Sequence, residues 1–233
     1  MSRPATLHVL GPTLMPHGLL PRAYRRLAAR LRDADGAVHY HGMPERHGLG
    51  RTDRIVDGFR PLLARARAED RRLRLAGHSL GGIVCWALAH EYPDVVERLE
   101  LWCAPVRGTA RASVRAPVPE SRFLSRQSRW VAQYDQPLPR VRVRAVFPAR
   151  DTLATPALEV CSVRGERAQN HVVHRPGRAP TEGVDDAVLH AGDGGHVTLP
   201  SRAWIQGRLR VADAAADVAD AVSPRRRPRR RAA

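Results

Sequence analysis

The sequence contains no lysine, so all 39 of its basic residues are arginines, and they exceed the acidic residues by 16. A surface selected for nucleic acid would use both basic residues and interleave them with aromatic side chains on which bases stack. The chain has only four Trp, four Tyr and three Phe in 233 residues. The arginine excess therefore indicates a compositional bias, and we do not expect specific nucleic-acid binding to be the main function.

Long apolar runs are also missing. No stretch of about 18 apolar residues occurs, which excludes a membrane-spanning helix. Residues 1–4 lead directly into an apolar segment at 5–10, without the charged, apolar and cleavage regions of a signal peptide. We therefore expect a cytoplasmic location.

Cysteine is scarce, with three residues in the chain. An odd number without the spacing of metal ligands predicts neither a disulfide framework nor a metal site. The three are Cys85, Cys103 and Cys161. We interpret Cys85 and Cys103 as small buried side chains, because one falls in a predicted helix and the other at the end of a predicted strand.

Short apolar runs alternate with helical patterns along the chain, which is typical of βαβ units and a mostly parallel sheet with helices on both faces. The strand patterns fall at 5–10, 37–40, 72–76, 95–102, 140–147 and 187–190, and the helix patterns at 22–32, 52–68, 80–91 and 200–222. Residues 140–147 alternate with period two, which predicts a strand with one wet face or one near the sheet edge. Residues 156–183 give no clear prediction.

The length suits one well-buried core, so we expect a single α/β domain over residues 1–222. Within it, residues 105–138 are rich in Pro, Arg and Ser and predict a small cap or lid. Residues 223–233 hold six arginines and two prolines. Such a tail cannot bury apolar area, so we expect it to be disordered and able to bind polyanions non-specifically.

The strongest motif is GHSLGG at residues 77–82, which fits the pattern G-x-S-x-G between a strand and an apolar helix. That context predicts a nucleophile elbow, in which a strained turn exposes the serine hydroxyl. Ser79 is the candidate nucleophile. The backbone N–H of Leu80, at the positive end of the helix dipole, is the first candidate donor of an oxyanion hole.

A serine nucleophile needs a base and a carboxylate that orients the base, and in enzymes with a G-x-S-x-G elbow both follow the serine in chain order. Asp151 ends the alternating strand 140–147 and is our candidate for the carboxylate. Its rivals fit less well, because one precedes the strand, two come late and one lies in the turn just before a histidine; they are Asp135, Asp185, Asp186 and Asp193.

His196 is the candidate base, because it follows the last strand in a glycine-rich loop that can turn back towards Ser79. The rival histidines are His171, His174 and His190, of which His190 belongs inside the strand. His78 lies beside the nucleophile, but we expect its ring to point away and to pack.

The second oxyanion donor should come from the loop after the first strand. Pro12 has no N–H and cannot serve. Thr13 lies nearest the strand end and is preferred, with Leu19 as the alternative.

Several segments resemble the lipase and esterase branch of the α/β-hydrolase family. Residues 77–82 look like its nucleophile elbow, and 92–99 followed by 103–109 resemble its Pro-Asp to Gly-Thr segment. The surroundings of Asp151 and of His196 are similar to its acid and histidine loops. The resemblance covers residues 5–222.

The resemblance implies the α/β-hydrolase fold and hydrolysis of a small-molecule or lipid ester through an acyl-enzyme, without a metal or organic cofactor. A thioesterase or acyltransferase is the alternative within this chemistry. Alternatives of another class are a non-catalytic protein with a hydrolase fold and a polyanion binder that works through the arginine tail. The oligomeric state is not readable from the sequence.

Overall fold

The computed structural model describes residues 5–13, 22–32, 36–43, 52–108, 129–151, 157–179, 186–195 and 198–222. Within these ranges, no helix combines the length and the apolar character needed to cross a bilayer. The arginine tail at 223–233 and residues 109–128 of the expected cap lie outside the described residues.

Strands and helices alternate along most of the described chain; the last two strands follow one another without a described helix between them. The strands are β1 (Thr6–Thr13), β2 (Val38–Met43), β3 (Leu73–His78), β4 (Val96–Trp102), β5 (Arg142–Pro148), β6 (Ala168–His174) and β7 (Ala187–Ala191). The helices are α1 (Arg22–Leu31), α2 (Thr52–Ala68), α3 (Leu80–Glu91), α4 (Arg129–Tyr134), α5 (Ala157–Val160) and α6 (Ala203–Val222).

The seven strands form one sheet in the order β2-β1-β3-β4-β5-β6-β7, and every neighbouring pair is parallel. Because all strands point the same way, their carboxyl ends lie along one edge. The register aligns the last residue of β3, His78, with the last residue of β4, Trp102, and Trp102 with Val146 of β5. Loops after these strands therefore meet at the edge where parallel sheets bind their ligands.

Apolar side chains cover both faces of the sheet, because successive strand residues point to opposite sides. One core cluster joins the sheet to α2 and α3, and includes Leu75 together with Ile83. The second joins it to α1 and α6, and includes Ala76 together with Leu27 and Leu209. The two layers hold the sheet rigid beneath its carboxyl edge.

The expectation of a wet face or an edge position for the strand at 140–147 is wrong. β5 lies between β4 and β6, and its residues 143–148 are all buried. The arginine at the centre of the alternating pattern, Arg144, is buried against the carboxylate of Asp213 on α6 and makes a longer ion pair with Glu100. Internal ion pairs therefore replace the solvent that the alternation suggested.

One strand was missed by the sequence analysis. β6 lies within residues 156–183, which gave no clear pattern, and it pairs with β5 on one side and β7 on the other. Its sequence, AQNHVVH, mixes apolar residues with polar ones, some of which hydrogen-bond within the fold. Asn170, for example, donates to and accepts from the backbone of Val163, at 2.9 Å in both cases.

Candidate active site

Ser79 is the single residue between β3 and α3. Its backbone angles, φ 53° and ψ −120°, lie in a region that residues other than glycine rarely adopt. Its N–H donates to the carbonyl of Trp102 at 2.9 Å, and its carbonyl accepts from the N–H of Gly82 at 3.0 Å and of Ile83 at 3.3 Å. Hydrogen bonds on both sides therefore hold the strained turn in place.

Three glycines make this turn possible because no side chain fits at their positions. A Cβ at Gly77 would come closer than 3.0 Å to the backbone of Gly82, and a Cβ at Gly82 equally close to Ala104. A Cβ at Gly81 would clash with the backbone of residues 10–11 at the end of β1. The glycines therefore let α3 begin directly against the carboxyl ends of β1 and β3.

Leu80 is the first residue of α3, and the N–H at that position has no acceptor within a helix. The positive end of the helix dipole lies at the same place and strengthens the attraction of this N–H for a negatively charged oxygen. Thr13 is the last residue of β1, and its backbone pairs with Met43 of β2. The alternative donor, Leu19, lies outside the described residues.

Asp151 follows the end of β5 and is buried, with 6% of its surface exposed. Two buried cysteines lie close to its carboxylate, Cys103 after β4 and Cys161 after α5. Burial raises the pKa of both thiols well above the ordinary value, and the negative charge of Asp151 raises each pKa further. The expected burial of Cys103 is confirmed, but nothing in the sequence indicated that either cysteine interacts with the candidate acid.

His196 lies outside the described residues, but the loop on either side of it is described. Before it, the N–H of Gly192 donates to the carbonyl of His174 at 2.9 Å, and the indole of Trp204 donates to the carbonyl of Asp193 at 3.2 Å. After it, the N–H of Leu199 donates back across the loop to Gly195 at 3.0 Å. The loop is thus tied to β6 and to α6, at the same edge of the sheet as Asp151.

The rival aspartates have other surroundings. Asp135 follows α4 and pairs with Arg107 at 3.3 Å, Asp186 is exposed before β7, and Asp193 is exposed after it. Asp185 lies outside the described residues. Among the four aspartates with described side chains between 135 and 193, Asp151 is the buried one.

The rival histidines are engaged within the fold. Nδ1 of His171 and Nε2 of His190 form a buried hydrogen bond of 2.8 Å between β6 and β7. His174 at the end of β6 bonds through Nδ1 to the carbonyl of Arg175. His78 is buried with Nδ1 2.7 Å from the Tyr24 hydroxyl, on the α1 side of the sheet.

A cleft of about 880 Å³ opens beside Asp151, at the carboxyl ends of β5, β6 and β7. Its walls include residues 148–150, which directly precede Asp151, and 192–195, which directly precede His196. The sequence patterns did not reveal this cleft, because its walls come from three strands that are distant in the chain.

Comparison with solved structures identifies the fold. Est1E from Butyrivibrio proteoclasticus is 12% identical to this chain with a TM-score of 0.58, over 92% of this chain and 89% of that protein. An alpha/beta hydrolase enzyme from the metagenome of sediments of the Mar Chica lagoon, Morocco, is 14% identical with a TM-score of 0.55, over 93% of each chain. Aspergillus fumigatus lipase B is 13% identical with a TM-score of 0.51; the match covers 72% of this chain and 44% of that protein.

Comparison with protein-family models and with curated proteins gives no match to this sequence. The solved structures and the seven-stranded parallel sheet show that the chain has the α/β-hydrolase fold. The fold class expected from the sequence is therefore confirmed.

Proposed function

We propose that the protein is a serine hydrolase that cleaves carboxylic esters, with Ser79 as its nucleophile. The observation that carries the proposal is the positive φ of Ser79 at the turn between β3 and α3. A strained residue of this kind persists where the surrounding structure holds it for a purpose. Here the turn presents a hydroxyl directly beside the N-terminus of a buried helix.

In the proposed reaction, His196 takes the proton of the Ser79 hydroxyl as its oxygen attacks the ester carbonyl carbon. The carbonyl oxygen becomes an oxyanion, and its collapse expels the alcohol, which takes the proton from His196. Water then attacks the acyl-enzyme by the same route, and the acid leaves with Ser79 restored. Asp151 holds the ring of His196 and stabilises its charged form.

The oxyanion would be bound by backbone donors. The N–H of Leu80 is one donor, because it begins α3 and follows the nucleophile. The second donor is proposed to be the N–H of Thr13, at the carboxyl end of β1. The contact of Gly81 with residues 10–11 supports this pairing, because it places the start of α3 against the end of β1.

Substitution of the nucleophile tests the proposal. Ser79→Ala should lower kcat on p-nitrophenyl butyrate by about 10⁶-fold, because only binding and oxyanion stabilisation would remain. Ser162→Ala is the matched control. Ser162 lies between α5 and β6, so this variant should hydrolyse the ester at the wild-type rate. Wild-type activity in a folded Ser79→Ala variant would refute the assignment.

A further inference from the structure

The cleft beside Asp151 is positively charged. Four arginines line it, from the ends of β5 and β6 and from the start of α6: Arg150, Arg175, Arg178 and Arg202. All four are exposed. Asp193 is the one acidic residue among the described residues of the lining. The cleft therefore carries more positive charge than its own wall neutralises.

The four guanidinium groups make no ion pair within the described part of the chain, although arginines elsewhere in it do. Arg60, for example, pairs with Glu91 at 2.7 Å, and Arg67 with Asp94 at 2.5 Å. Arginines that line a concave site without an acidic partner create a positive potential that attracts anions.

Apolar side chains form part of the same wall. Val173 at the end of β6 is buried, and Leu158 on α5 is half-buried. Pro148, the last residue of β5, and Ala149 after it add further apolar surface. The lining therefore suits a ligand that joins a short apolar body to an anionic group.

We propose that this arginine cleft, lined by Arg150, Arg175, Arg178 and Arg202, binds an anionic end of the substrate. The preferred substrates are then esters that carry a carboxylate or phosphate beyond a short apolar segment. A guanidinium group is always charged and matches the oxygens of either anion with two parallel N–H donors. This inference rests on the proposed ester hydrolysis, because it names the substrate class of the same site.

The position of the arginine cleft gives the physical reason for the preference. Its walls are continuous with the loops that carry Asp151 and His196, so an anion held there would set the position of the ester relative to those groups. Binding energy far from the reacting bond raises kcat/KM when it orients that bond. Salt should weaken the effect because it screens exposed charges.

Two p-nitrophenyl esters of glutaric acid separate charge from shape, one with its second carboxylate free and one with that carboxylate capped as a methyl ester. Wild-type kcat/KM should favour the free acid by about tenfold or more at low ionic strength, and less at high salt. Arg175→Gln/Arg178→Gln should reduce this ratio by about tenfold. The matched control, Arg65→Gln/Arg140→Gln, removes the same charge from exposed positions outside the cleft and should keep the ratio.

Direct binding provides a readout that does not require catalysis. Calorimetric titration of Ser79→Ala with glutarate should show binding that weakens about tenfold when Arg175→Gln/Arg178→Gln is added. Dimethyl glutarate should show no such difference. A parallel titration with butyl phosphate shows which of the two anions the cleft holds more tightly.

The outcomes separate the two proposals. Glutarate and butyl phosphate binding that is absent, or equal in the presence and absence of Arg175 and Arg178, overturns the arginine cleft as an anion site. Arginine-dependent binding in a wild-type protein that hydrolyses neither ester overturns the proposed hydrolase function and leaves the anion site standing. A ratio near one for the two esters in an active wild-type enzyme overturns the substrate preference.

Discussion

Ser79 occupies a position that costs free energy in the folded chain, and Asp151 is a buried acidic residue at the same edge of the sheet. A non-glycine residue at φ 53° and ψ −120° is strained by about 1 to 3 kcal/mol. Asp151 is buried, with 6% of the residue's surface exposed. Both residues lie at the carboxyl edge of the sheet, where the fold places its loops. Costs of this kind concentrate at functional sites.

The role of Asp151 can be tested against its rivals. Asp151→Asn keeps the shape of the side chain but removes the charge that supports the protonated base, so kcat on p-nitrophenyl butyrate should fall by about 10⁴. Asp135→Asn and Asp193→Asn should each change kcat by less than about tenfold, because an exposed carboxylate acts weakly at a distance. A large loss in Asp193→Asn beside an active Asp151→Asn would move the acid to the loop after β7.

The serine turn was predictable because its cause is local. The glycines at 77, 81 and 82 and the serine between them determine the close approach of α3 to β1 and β3, and all lie within six residues of sequence. The arginine cleft was not predictable, because Arg150, Arg175 and Arg202 meet only after three strands have paired. The position of His196 relative to Ser79 stays a prediction from chain order.

At the scale of whole elements, α6 is attached to the sheet by charge as well as by apolar packing. Asp213 on α6 pairs with arginines from three other elements, Arg30 on α1, Arg98 on β4 and Arg144 on β5. Glu100 on β4 is fully buried against the same arginines. Burial alone would raise the pKa of the Asp213 carboxyl, but the three arginines hold that pKa below its usual value.

Removal of the Asp213 charge should weaken the attachment of α6 to the sheet. Asp213→Asn removes a carboxylate that three largely buried guanidinium groups share with Glu100, so the free energy of unfolding should fall by about 2 to 4 kcal/mol. The measurement is urea denaturation at neutral pH. Asp57→Asn is the control: it breaks an exposed pair with Arg60 and should cost less than about 1 kcal/mol. Equal stability of the two variants would show that apolar packing alone holds α6.

The same ion pairs explain why the sequence pattern at 140–147 gave a wrong prediction for β5. Alternation of arginine and valine at 140–147 predicts one wet face because a local pattern contains no information on partners. Arg144 finds its partners on α6 and β4, far away in sequence. β6 was missed for a related reason, since its buried histidine, His171, bonds to His190 on β7. Strands whose polar side chains pair or hydrogen-bond with residues far away in sequence cannot be recognised from the spacing of hydrophobic residues alone.

Over the whole molecule, buried neutral histidines link stability to pH. Burial lowers the pKa of His8 and of His171 to about 3, and that of His190 to about 4. Neighbouring charges add to burial in each case, such as His41 beside His8 and Arg144 beside the other two. In the unfolded chain these rings would titrate near the ordinary histidine pKa of 6.5.

Stability should therefore fall as the solution becomes acidic. Below about pH 6.5 the unfolded chain binds protons that the folded chain excludes, so the free energy of unfolding decreases until the pH reaches the folded pKa values. Between about pH 7.5 and about pH 5, His8 and His171 should each remove about 2 kcal/mol. Denaturant unfolding across this range measures the effect. A flat profile would show that these rings are protonated in the folded protein.

Identification of the residue that forms a covalent adduct with a fluorophosphonate tests whether Ser79 is the nucleophile. The reagent phosphonylates an activated serine, and mass spectrometry of the digested protein locates the added group. We expect one adduct per chain, on Ser79, and no adduct in the folded Ser79→Ala variant. An adduct on another residue, or labelling that persists in Ser79→Ala, would contradict the claim that the strained serine between β3 and α3 is the nucleophile.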